Sequence, residues 1–231
     1  MHPELRSYRQ LSEDDFRRLW AKATFAIDTS VLLNLYRYPA SARDDLLRAL
    51  EQIRERIFVP FHVALEYERN RHGVIAEQKK RFRDVRDVVT NKQEELRREL
   101  DALQLRKRHA SIRADEFLTG ISSDTERFLE RLAELEQAQP DVFDRDEIRE
   151  RIERLVVGRV GPPLGTQKEL DDIFSNGAER YQRSTPPGYL DVSKAGAADE
   201  FEFGGLAYRR QFGDLVIWNQ LLSAAASAKL K

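Results

Sequence analysis

The 82 positions from Gly73 to Arg154 hold 18 basic and 20 acidic residues, broken inside only by Gly120 and Pro140. Charges at that density cannot be withdrawn from water, so most of this stretch must be solvated surface. Apolar residues nevertheless recur at helical spacing. Phe82, Val85 and Val89 are followed by Leu96, Leu100 and Leu103, then by Phe128, Leu129, Leu132 and Leu135, and finally by Ile148, Ile152 and Leu155. The pattern predicts long amphipathic helices folded back on one another along a narrow apolar seam.

The flanks read differently. Ser12 followed by Asp15 is a capping-box pattern that opens a helix carrying Phe16, Leu19 and Trp20. Thr24 to Ile27 is a short apolar run ending in Asp28-Thr29-Ser30, and Ile57-Phe58-Val59 is a second, stopped by Pro60. Both read as buried strands. Between them, Pro39 breaks the chain and Ser41 opens a helix with Leu46, Leu47, Leu50 and Ile53 on one stripe. Helical spacing resumes at Phe61. Helix, strand, helix, strand, helix in that order predicts an α/β domain with a parallel sheet. Gly and Pro then cluster at Gly158 to Pro163 and at Pro186-Pro187-Gly188, which mark loops, and Gly213-Asp214 opens an apolar helix through Leu215, Ile217, Trp218, Leu221 and Leu222. Trp20 and Trp218 are expected in the core. The boundaries expected are 1–72 and 155–231 for the α/β core and 73–154 for a helical, coiled-coil-like insertion.

Composition narrows the chemistry. The chain has no cysteine, which excludes disulfides, thiolate metal sites and a cysteine nucleophile. His2, His62, His72 and His109 are not spaced as a metal pair on one helix, and His62 is expected to be a structural partner near its helix start. With 39 basic against 40 acidic residues, bulk charge alone cannot coat a polyanion. No apolar run approaches the ~18–20 residues that cross a bilayer, and residues 1–10 lack the apolar centre of a signal peptide. The chain is therefore expected to be soluble and cytoplasmic.

Four carboxylates stand out by context. Asp28 ends an apolar strand, where parallel sheets gather their ligands. Glu66 lies in the first turns of the helix after the second strand. Asp214 lies in the first turn of a late helix, where the dipole favours an anion. Asp191 sits in the Pro/Gly-rich loop, three residues before Lys194. Carboxylates that converge repel one another unless a divalent cation neutralises them, and oxygen ligands without Cys or paired His select Mg²⁺ or Mn²⁺. Each acid also has an ordinary reading: Asp28 and Asp214 as helix caps, Glu66 as a surface charge, Asp191 with Lys194 as a loop ion pair.

Phe25-Ala26-Ile27-Asp28-Thr29-Ser30-Val31-Leu32-Leu33-Asn34 resembles the opening strand of PIN-like nucleases. Val59-Pro60-Phe61-His62-Val63-Ala64-Leu65-Glu66-Tyr67-Glu68-Arg69-Asn70-Arg71 resembles their second motif, and Phe212-Gly213-Asp214-Leu215-Val216-Ile217-Trp218 their third. Pro186 to Lys194 resembles a loop of a bacterial subfamily with a long helical insertion. The resemblance implies a three-layer PIN-like core with a parallel sheet, interrupted by that insertion. It implies a Mg²⁺- or Mn²⁺-dependent endonuclease, acting on RNA before DNA and leaving a 5′-phosphate and a 3′-hydroxyl, in a toxin or phage-defence setting. Asp28, Glu66 and Asp214 would ligate metal, with Asp191 an added ligand, and Lys194, Arg180 and Arg69 would contact substrate phosphates. The family pattern continues into a further strand with a fourth acid, whereas no acid follows Asp214 here. The chain is thus either a shortened form or a variant that uses Asp191. Two other readings stand beside the nuclease: a non-catalytic module with an incomplete acidic site, whose charged helices dock a protein partner or a second copy, and a helical scaffold whose acids are all caps and surface charges.

Overall fold

The computed structural model describes residues 10–105, 109, 111–194 and 199–227. The chain divides into two compact units, Met1–Arg69 with Arg149–Lys231, and Asn70–Ile148.

In the first unit, α1 (Glu13–Lys22) starts on the expected capping box: the Ser12 hydroxyl accepts from the Asp15 N–H, and the Asp15 carboxylate accepts from the Ser12 N–H. β1 (Phe25–Ala26) and β2 (Ile57–Phe58) pair in parallel, Phe25 opposite Ile57 and Ala26 opposite Phe58. Between them lie α2 (Thr29–Asn34) and α3 (Ala40–Gln52), the crossover that parallel strands require. The pairing continues past β2, because Val59 bridges Val160 in parallel, with the Val59 N–H donating to the Arg159 carbonyl at 3.0 Å. The expected mixed α/β architecture with a parallel sheet is present, though the sheet is small and most of the chain is helical.

α4 (Phe61–Ala102) follows Pro60, which ends the strand segment. After α5 (Ala114–Gln137) and α6 (Glu147–Val156), α7 (Gln167–Gln182) opens on a second capping box, Thr166 with Glu169. A feature not expected from the sequence comes next: β3 (Glu200–Phe203) and β4 (Leu206–Arg209) form an antiparallel hairpin. Its two-residue turn, Gly204-Gly205, holds both glycines at positive φ, +61° and +75°, the conformation that matches the twist of the flanking strands. α8 (Gly213–Ala226) ends the described chain.

One core cluster joins these elements. Leu65 of α4, Leu170, Phe174 and Tyr181 of α7, Tyr208 of β4, Phe212 and Val216 are buried together. Both tryptophans lie outside the core, contrary to expectation. Trp20 is 56% and Trp218 44% exposed. α1 buries none of its residues, so Trp20 instead lays its ring edge-on to Phe25 at 5.2 Å and stacks with Phe16 four residues back. α8 turns Leu215, Val216, Gln220 and Ala224 inward, leaving Trp218 and Leu222 on the other side.

In the second unit, Arg71 pairs with Asp146 at 2.7 Å, Lys79 with Asp141, and Arg86 with Glu136 at 2.5 Å, while the Gln93 amide donates to Ser122 at 3.0 Å. As one partner number rises the other falls, so α5 and the loop after it, which carries Asp141 and Asp146, run back antiparallel along α4. The α4 partners recur at intervals of eight, seven and seven residues, so they lie along one side of that helix. Among the described residues, no helix is long and apolar enough to cross a membrane.

Gly177 of α7 is a close approach rather than a flexible point. A Cβ there would lie 2.7 Å from the Phe212 ring and 2.8 Å from a Leu215 methyl. Gly177→Ala is expected to lower the stability of the first unit by about 1–3 kcal/mol through overpacking, read as a lowered urea midpoint. An unchanged midpoint would mean that the α7–α8 contact yields freely.

Candidate active site

β1 ends at Ala26, and Asp28 follows at the carboxyl end of the strand. It caps α2: its carboxylate accepts from the Ser30 N–H at 3.2 Å and from the Ser30 hydroxyl. The ordinary reading of Asp28 therefore holds, and the side chain is also exposed to solvent. The next residue, Thr29, is buried and reaches across to α4, where its hydroxyl donates to Glu66 Oε2 at 2.7 Å. That bond joins positions 37 residues apart.

Glu66 lies in the second turn of α4, one turn after His62. His62 is 1% exposed; its backbone N–H donates to the Gln220 side chain at 2.9 Å, and its ring stacks on Tyr208 at 5.3 Å. Neither ring nitrogen completes a hydrogen bond, and Nε2 lies 3.5 Å from Glu66 Oε1, too far for a strong one. Burial by itself would push the Glu66 carboxyl up. The polar contact with His62, joined by the Thr29 hydroxyl, outweighs burial and holds the group below its ordinary value, while the charge of Asp28 works against them. Asp28 and Glu66 thus feel each other across the strand ends.

α8 begins against the same carboxylate. A Cβ on Gly213 would lie 2.8 Å from Glu66 Oε1, so the absence of a side chain there lets the helix start beside Glu66. Asp214, the next residue, is exposed in the first turn of α8. Its side chain lies against Gly188, whose φ of +81° suits only glycine; a Cβ on Gly188 would meet the Asp214 Cβ at 2.9 Å and the Tyr181 hydroxyl at 2.6 Å. Asp191 sits in the turn Tyr189–Lys194, its N–H donating to the Gly188 carbonyl at 2.9 Å. The Tyr181 hydroxyl donates to the Gln211 carbonyl at 3.2 Å. Burial first, then the charges of Asp214 and Asp191, push its pKa up to about 12 against the opposing effect of Arg180.

The four predicted acids therefore lie along one connected path in the first unit. Asp28 and Glu66 form one coupled pair, Asp214 and Asp191 meet around Tyr181, and the Gly213–Asp214 step joins the pairs. They do not close into a cage: among the described residues, no group of three or more acidic or histidine side chains converges on a metal position. Of the predicted phosphate contacts, Arg69 lies on α4 one turn beyond Glu66, and Arg180 of α7 donates to the Pro186 carbonyl. The side chain of Lys194 lies outside the described residues.

Residues 24–231 match the family model described as a PIN like domain. The chain belongs to the PIN-like domain family. The match begins at Thr24, immediately before β1, and spans all four acids of this PIN-like chain. PIN-like domains are a nuclease-type fold. No match was found among curated proteins or among solved structures.

Thr29, Gly213, Gly188 and Tyr181 were not singled out from the sequence. His62 and Glu66, four apart on one helix, carried the available signal. The raised pKa of Tyr181 means that the folded state prefers its neutral hydroxyl. The stability this supplies is fully present below the ordinary value of 10.0 and is lost as pH rises towards about 12. The stability difference between the wild type and Tyr181→Phe is therefore expected to change across that interval and to stay constant at neutral pH, measured by urea unfolding at each pH.

Proposed function

We propose that this PIN-like chain is a metal-dependent endonuclease that hydrolyses phosphodiester bonds, RNA before DNA, in the cytoplasm. The observation that carries the reading is the Glu66 carboxylate. It is kept ionised by Thr29 and His62, is coupled to Asp28, and has the α8 terminus with Asp214 set against it. Mg²⁺ retains several waters and takes only one or two carboxylates from a protein, so the Asp28–Glu66 pair suits a hydrated Mg²⁺ or Mn²⁺, with Asp214 and Asp191 on its outer side. When bound, such an ion offsets the repulsion between the acids and polarises a phosphoryl oxygen. The Thr29 hydroxyl bonds the Glu66 carboxylate, the His62 ring lies 3.5 Å from it, and Gly213 leaves the space it occupies. Tyr181 keeps its proton beside Asp191 and Asp214 and so adds no further negative charge. Arg69, Arg180 and Lys194 are the cations proposed to meet substrate phosphates. Under the same reading the core is the three-layer PIN-like arrangement and residues 73–154 are an insertion that docks a partner or a second copy. The preference for RNA and a toxin or phage-defence setting rest on the family resemblance.

The open arrangement of the acids favours a second reading, a non-catalytic module with an incomplete site. Labelled RNA and DNA of one sequence, incubated with Mg²⁺, Mn²⁺ or chelator, separate the two. Asn caps a helix as well as Asp does, so Asp28→Asn is expected to fold while losing at least about 100-fold in cleavage rate. Glu66→Gln is expected to abolish the Mn²⁺-induced thermal shift. Wild-type rates in Asp28→Asn overturn the nuclease reading. A wild type that neither cleaves nor shifts with Mn²⁺ supports the module.

A further inference from the structure

Within the second unit α4 and α5 meet along one stripe of each. The stripe of α4 steps by four and three alternately from Phe82 through Arg86, Val89 and Gln93 to Leu100, and that of α5 from Leu118 through Ser122 and Leu129 to Glu136, all buried or half-buried. Arg86 with Glu136, and Gln93 with Ser122, hold the two stripes face to face. The flanks of the stripes differ. The residue after each stripe position on α5 is polar or small: Thr119, Ser123, Glu126, Glu130, Ala133 and Gln137. The same flank of α4 carries Arg83, Asp87, Thr90, Glu94 and Arg97.

The residue before each stripe position tells the opposite story. On α5 these are Phe117, Ile121, Phe128 and Leu135, interrupted only by Asp124 and Arg131, and on α4 they include Val85 and Val88. One place earlier is a turn of about 100° in the same sense on any α-helix. Reversing one helix of a pair brings equal turns to the same side, so all six apolar residues share one side of the α4–α5 pair. They are not covered there: Phe117 is 58%, Phe128 46%, Leu135 42%, Val85 40% and Val88 62% exposed. One broad side of the pair is thus polar and the other apolar and wet.

The order along α5 says what covers it. Ile121 lies seven residues before Phe128 and Leu135 seven after, while Asp124 lies four before and Arg131 three after. Laid antiparallel on a second copy across a two-fold axis at Phe128, the stripe is its own complement. Phe128 meets Phe128, Ile121 meets Leu135, and the acid Asp124 meets the base Arg131. A foreign helix would not require that balance about one residue. Both charges are free to exchange, since Asp124 with Arg127 at 2.8 Å and Arg131 with Glu134 at 2.6 Å are exposed pairs within one helix, which contribute little. The size also suits. Phe117 to Leu135 covers about 27 Å of axis, and two helices about 9 Å apart present a side about 20 Å wide. Two such sides bury roughly 1,000 Å² in total, enough for a specific interface.

We infer that the apolar side of the α4–α5 pair is the contact surface of a two-fold dimer of this chain, with Phe128 on the axis. This names the occupant that the docking reading of residues 73–154 leaves open, and it rests on that reading rather than on the nuclease chemistry.

Sedimentation equilibrium of the full chain over a range of concentrations measures the association. Phe128→Glu is expected to raise the dimer dissociation constant at least about 100-fold. Asp124→Lys and Arg131→Glu are each expected to raise it about ten-fold, because the axis repeats every like-charge contact, and the double variant is expected to return towards the wild-type value. Glu130→Lys, on the polar side, is expected to dimerise as the wild type does. Thermal melts of each variant confirm folding. A wild type that stays monomeric at submillimolar concentration overturns the inference, as does wild-type dimerisation in Phe128→Glu or a double variant no tighter than the singles. Binding of an apolar dye then separates the two readings. If a monomeric wild type binds dye and Phe128→Glu does not, only the second copy falls and another protein becomes the candidate occupant; if both bind it equally, the docking reading falls as well.

Discussion

A carboxylate withdrawn from most of its water keeps its charge only if the protein returns the lost hydrogen bonds. Glu66 is in that position, and what surrounds it organises the first unit. Thr29 comes from the start of α2, His62 from one turn earlier on α4, and Gly213 from the start of α8. Three segments far apart in the chain meet at this one side chain: the Thr29 hydroxyl bonds it, and Gly213 leaves it room. The parallel pairing of β1 with β2 brings α2 to α4, and the cluster of Leu65, Phe212 and Val216 brings α8 to the same place. The sheet is small, but it lies where it fixes the two acids that sense each other.

Much of this was legible in the residues. The apolar runs bounded by Asp28 and Pro60 marked parallel strands, the Ser12 capping box and the apolar stripes marked helices, and the acids stood out by their places at strand and helix ends. What escaped was long-range. The Thr29–Glu66 bond joins positions with no local relation, and a threonine after a helix cap looks like any other. Gly213 read as the opening of a helix, whereas its role is set by the Glu66 carboxylate arriving from another element. The hairpin was missed although alternating Glu and Phe ahead of Gly204-Gly205 is a strand signal; the surrounding loop residues obscured it. Both tryptophans lie outside the core because α1 buries none of its residues and α8 turns Trp218 away from its buried side.

The acids divide into two pairs, and the environments differ. Asp28 and Asp214 are exposed and begin helices, so their charge is solvated and favoured by the backbone. Glu66 is shielded and depends on Thr29 and His62. Tyr181 lies beside Asp214 and Asp191 as a group that withholds its proton. A site built this way grades from the half-buried carboxylate of Glu66 to the exposed carboxylates of Asp28 and Asp214.

The cross-links of the second unit grade as well. Arg71 and Asp146 are each about one-tenth exposed, whereas Lys79 with Asp141 and Arg86 with Glu136 are roughly a quarter to a third exposed. Dissolved ions screen the wetter pairs more strongly than the dry one. The helical arm is therefore clamped at the Arg71 end and loosens from the other, like a zip fastener with one sewn end. A slide by one turn would set every rung against the wrong partner at once, so the arm has a single register that frays under ionic strength but does not creep.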